Sequence, residues 1–121
     1  MTEIENTKRY DLEERTFQFA KRVIALVNLL FKTLANIEIG KQLVRSSGSV
    51  GANYIEANES LSKKDFFMRV RICHKEAKES RYWLKLVAAM KEDENERDSL
   101  VNEATEFMRI FGSIVEQSRK S

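Results

Sequence analysis

Residues 44–57 read Val-Arg-Ser-Ser-Gly-Ser-Val-Gly-Ala-Asn-Tyr-Ile-Glu-Ala, and whether they form a helix or a loop decides how the chain folds. Gly costs a helix interior about 1 kcal/mol relative to Ala, and Ser a few tenths. A segment with two glycines and three serines needs packing to hold it, against something that comes very close. The alternative is a loop at Ser46–Ser49 that breaks the helix. Arg45, Ser49, Asn53 and Glu56 keep helical spacing straight through the doubtful stretch, which favours the helix.

Working outward, this second helix is expected over about residues 37–60, with Leu43, Val50, Tyr54, Ala57 and Leu61 on its apolar face. Ala35–Ile39 reads as a connector, with Asn36 as the cap. Upstream, Asp11 and Glu14 have the spacing of a capping box. Leu12, Phe19, Val23, Leu26/Val27, Leu30 and Leu34 then recur on one face of a helix over about 11–34. Downstream, Ser62 and Asp65 open a third helix over about 63–90, with Phe66, Val70, Cys73, Ala77, Leu84 and Val87 facing inward. A fourth, about 94–117, carries Leu100, Val101, Ala104, Phe107/Met108, Phe111 and Ile114/Val115, and Arg119–Ser121 form a loose tail.

The expected fold is therefore all-α, an antiparallel up-and-down four-helix bundle in a single domain over residues 1–121. The absence of proline and the charged third of the chain agree with that class. No apolar run approaches the ~20 residues of a membrane span. Met1–Arg9 lacks the apolar stretch of a signal peptide, and a lone cysteine suits a reducing cytoplasm.

Candidate chemistry is sparse. No Glu-x-x-His pair accompanies the single histidine, His74, so neither a di-iron site nor any other metal or cofactor is expected. Cys73 and His74 are adjacent, which sets them about 100° apart on a helix rather than as a nucleophile–base pair. Gly48 and Gly51 lack the Lys-Ser/Thr ending of a phosphate loop. A non-enzymatic protein is expected.

Two polar patterns remain. Arg45, Ser49, Asn53 and the Tyr82 hydroxyl could supply donors to Glu76 and Glu79, either as a network fixing helix register or a subunit contact, or as a binding pocket. Lys64, Arg71, Lys75, Lys78 and Lys85 share one face of the third helix. Residues 63–85 hold eight Lys/Arg against three Asp/Glu, so this face is either a solvated surface or a track for RNA or DNA phosphates. No aromatic is read between the cations, so backbone contact without sequence readout is expected. Net charge is uneven, +5 over residues 1–90 and −3 over 91–121.

Tyr-Asp-Leu-Glu-Glu-Arg-Thr-Phe at 10–17, Leu-Val-Arg-Ser-Ser-Gly-Ser-Val-Gly-Ala-Asn-Tyr-Ile-Glu-Ala at 43–57 and Lys-Glu-Ala-Lys-Glu-Ser-Arg-Tyr-Trp-Leu at 75–84 resemble the bacterial family encoded in 23S rRNA intervening sequences. The resemblance covers nearly the whole chain and extends to the accessory variability proteins of diversity-generating retroelements. It implies a four-helix bundle assembled as a homopentamer, with nucleic acid and a reverse transcriptase or other protein as partners. The motif positions Arg45, Ser46, Ser49, Gly51, Asn53, Glu56, Glu76, Glu79, Tyr82 and Trp83 would then have structural or assembly roles. A neighbouring subunit packing against the thin second helix is a further expectation. A structural adaptor that binds a protein and no nucleic acid is the alternative function.

Overall fold

The computed structural model describes the backbone of residues 3–120 and the side chains of residues 11–120. Four helices follow one another, α1 (Glu3–Leu29), α2 (Leu34–Asn58), α3 (Lys63–Leu86) and α4 (Glu94–Gln117), with a 3-10 turn at Lys91–Asp93 before the last. Each runs antiparallel to its neighbour. Glu13 meets Asn58 at one end of the α1–α2 pair, and Val27 lies against Gly40 at the other. Arg69 bonds Asn53 across α2–α3, Arg97 bonds the Val87 carbonyl across α3–α4, and Arg15 and Arg22 reach Glu103 and Glu96 to close α1 on α4. The result is an up-and-down four-helix bundle.

The disputed stretch is helix throughout. Its serines return their hydroxyls to their own helix, Ser46 to the Leu43 carbonyl, Ser47 to Val44 and Ser49 to Arg45. Ser46 and Ser47 are fully buried. Ser80 Oγ of α3 stands 2.9 Å from Ser46 Oγ, so small side chains bring α2 and α3 together. Gly51 does the same towards α1, where a Cβ would fall 2.8 Å from Thr16 Oγ1. At Gly51 the same chain therefore supplies close packing, through Thr16. Gly48 differs, because a Cβ there would meet only open space.

The interior is a ladder of aromatic and aliphatic contacts. Phe19 meets Phe107 edge-on at 5.3 Å, Phe107 stacks on Phe111 at 6.1 Å, and Tyr54 tilts against Phe111 at 5.5 Å. Val23, Leu26, Leu43, Val50, Val70, Cys73, Leu84 and Leu100 pack around them, with Leu30, Ala57, Ala77, Val87 and Ala104 also buried. These are the positions that the helical period picks out.

Boundaries depart from the expected ones at five places. Asp11 lies inside α1 and caps nothing, since Glu3–Tyr10 contains no residue that stops a helix. The first connector is Leu30–Thr33, earlier than expected, because extended Thr33 caps the Asn36 N–H through its hydroxyl. Leu34 consequently opens α2 and is 79% exposed, outside the core. Asn36 is not the cap. Its side chain instead joins two connectors, donating to the Phe31 and Ala88 carbonyls and accepting the Ala88 N–H. That capture of Ala88, with Val87 extended, ends α3 at Leu86 rather than Met90. Leu61 falls in the turn beyond α2 and is fully exposed. The Ser62 cap holds as read, its hydroxyl accepting the Asp65 N–H at 3.1 Å. Ser118–Lys120 continue in turns, and Ser121 lies outside the described residues.

Candidate nucleic-acid interface

The motif residues divide between an internal contact and an outer face. At the internal contact, Arg45 of α2 forks across to α3, with Nη1 donating to Glu76 at 3.0 Å and Nη2 to Glu79 at 2.8 Å. Glu76 is buried and Arg45 half-exposed, so the guanidinium seals a carboxylate at the edge of the core. The Glu79 hydrogen bond, then the Glu76 charge, push the Arg45 guanidinium above its ordinary value. Asn53 donates to its own helix at the Ser49 carbonyl and accepts from Arg69 Nη1 at 3.1 Å.

Of the donors expected for the two glutamates, only Arg45 reaches them. Ser49 bonds the Arg45 carbonyl, Asn53 takes Arg69, and Glu56 is exposed at the far end of the stripe. Tyr82 is 59% exposed, because six residues beyond Glu76 amount to about 120° around the helix. Trp83 is half-buried and packed against the core, and its ring meets Tyr82 edge-on at 5.2 Å. These contacts key α2 to α3 in one register.

The outer face belongs to α3. Lys64, Arg71, Lys75, Lys78 and Lys85 are all exposed. None pairs with a carboxylate among the described residues, and Arg71 reaches only the Ser118 hydroxyl, at 3.5 Å. Arg15, Arg22 and Arg45, by contrast, are engaged in carboxylate pairs between helices. The α3 stripe is therefore exposed positive charge with no carboxylate partner among the described residues.

The stripe also contains an aromatic that the sequence reading left out. Tyr82 stands four residues after Lys78, seven after Lys75 and three before Lys85. Those are same-face offsets on a helix. The signal is present in the spacing, which competes with the assignment of the Tyr82 hydroxyl to Glu76 and Glu79.

Nucleophilic chemistry has no support at Cys73. The side chain is fully buried, and burial pushes its thiol up to about 12. His74 turns to the α3–α4 contact, where a Cβ on Gly112 would lie 3.4 Å from its ring. No helix among the described residues is long and apolar enough to cross a membrane.

Residues 8–113 match the profile of the family described as 23S rRNA-intervening sequence protein. The fold is also similar to the crystal structure of a protein with unknown function from the S23 ribosomal protein family of Bacteroides thetaiotaomicron. That similarity has a TM-score of 0.77 and 31% identity, over 90% of this chain and 98% of that one. No curated protein matches the sequence.

Proposed function

The chain belongs to the 23S rRNA-intervening sequence protein family, and from that premise we propose a non-enzymatic, self-associating scaffold that holds RNA or DNA by its phosphate backbone. The observation that carries this reading is the α3 face, where Lys64, Arg71, Lys75, Lys78 and Lys85 stand exposed without carboxylate partners among the described residues. Charge placed this way attracts phosphates independently of base identity.

Self-association rests on a second surface. Phe17 and Ile24 lie on the outer side of α1, and Ile37, Val44 and Ile55 on the outer side of α2, all exposed. Thr16 against Gly51 and Val27 against Gly40 place these two stripes on either side of the α1–α2 line. A second copy covering this seam, repeated as a homopentamer, is the assembly we propose.

The test is binding of the full chain to labelled duplex DNA and structured RNA across a salt series, with solution mass measured in parallel. Five phosphate contacts give a slope of log K against log salt of about −4 to −5 on B-DNA. Charge reversal at Lys75→Glu and Lys78→Glu should flatten it. A clean oligomer that binds neither nucleic acid at low salt would overturn the reading in favour of a protein adaptor. Val44→Glu should reduce the solution mass.

A further inference from the structure

We propose that Tyr82 is a base-stacking residue, and that the ligand of the α3 face is unpaired rather than duplex nucleic acid. This rests on the nucleic-acid reading above and adds the structural class of the ligand. Tyr82 is 59% exposed, and it shares its stripe with Lys75, Lys78 and Lys85. Along the helix axis it lies about 6 Å from Lys78 and about 4.5 Å from Lys85. Lysines at those positions can hold the phosphates on either side of a base whose face rests on the phenol. The ring does not hang loose, because half-buried Trp83 packs edge-on against it at 5.2 Å. Tyr also has few torsions to freeze on binding.

The choice of unpaired strands follows from what each ligand presents. A duplex keeps the faces of its bases stacked inside and shows a protein only base edges, sugars and phosphates. The ring face of Tyr82 therefore has no base to rest on in such a ligand. Bases in loops, bulges and single strands are free to lie on an aromatic ring, and stacking combined with a basic track is how proteins hold them without reading sequence.

The experiment uses the full chain and a fluorescein-labelled, unstructured 20-nucleotide RNA, alone and annealed to its complement. Tyr82→Ala should weaken single-strand binding about fivefold or more and leave duplex binding unchanged. Tyr82→Phe should restore most of the loss. The salt slope of Tyr82→Ala should match that of the parent, since no phosphate contact is removed. Emission from Trp83, the sole tryptophan, should change on binding the single strand. Equal affinity of Tyr82→Ala and parent for the single strand, or an equal loss on both ligands, overturns stacking while leaving backbone binding in place. Absence of binding to either RNA, or indifference to Lys75→Glu with Lys78→Glu, overturns the nucleic-acid reading and this inference with it.

Discussion

The Thr16 hydroxyl oxygen lies 2.8 Å from the point where a Cβ on Gly51 would stand, with Thr16 Cβ itself at 3.1 Å. Thr16 is fully buried, and its hydroxyl is within hydrogen-bonding reach of the Leu12 and Glu13 carbonyls, so it has nowhere to turn. One methyl group at Gly51 must therefore push α1 away from α2.

Gly51→Ala and Gly48→Ala should consequently differ in sign. Each gains about 1 kcal/mol of helix propensity. At Gly48 nothing opposes that gain, whereas overpacking at Gly51 costs about 1–3 kcal/mol. Urea midpoints should place Gly48→Ala above the parent and Gly51→Ala below it, with Gly51→Leu lower still. A Gly51→Ala protein as stable as Gly48→Ala would refute the close approach.

Arg45→Ala should destabilise the chain by about 1–3 kcal/mol, because it leaves the buried Glu76 carboxylate without its guanidinium. Adding Glu76→Gln should recover part of that loss. A double-mutant cycle in urea reads the coupling directly.

The Arg22 guanidinium holds the Glu96 carboxyl below its ordinary 4.5. A depressed carboxylate stabilises the fold fully above its unfolded value, and the contribution disappears as pH falls through the folded one. Arg22→Met should thus cost at most about 1 kcal/mol at neutral pH, since both partners are substantially exposed. The gap should close on acidification and shrink in high salt. A gap that persists at pH 2 would assign the effect to packing.

Cys73 has the opposite linkage. With its thiol raised from 9.0 to about 12 in the fold, the unfolded chain loses that proton first, and stability declines between those values. Cys73→Ala should lack this part of the alkaline loss. In the native protein the thiol should resist alkylation at pH 8 until urea exposes it.

Helix existence and core faces were legible because a period survives any local ambiguity. Phe19, Val23, Leu43, Val50, Leu84 and Phe107 are all buried where their spacing places them. Ends were less legible, because several residues compete to cap and only three-dimensional contacts choose among them. Thr33 rather than Asn36 takes that role since Asn36 is held by Ala88, 52 residues away. The contact of Arg45 with Glu76 and Glu79 could be anticipated from charge and spacing. That Tyr82 faces outward needed the angle between it and Glu76, which a list of candidate donors does not supply.

Asn36 also bears on how the bundle is held together. Its amide clasps the α1–α2 connector to the α3–α4 connector at one end of the molecule, and it is almost wholly buried there. The two helical hairpins are latched together at that end. At the opposite end the same two hairpins are joined by the chain itself, through the short turn between Asn58 and Lys63. The hairpins are thus tied at both poles, by a peptide turn at one and by a single amide side chain at the other.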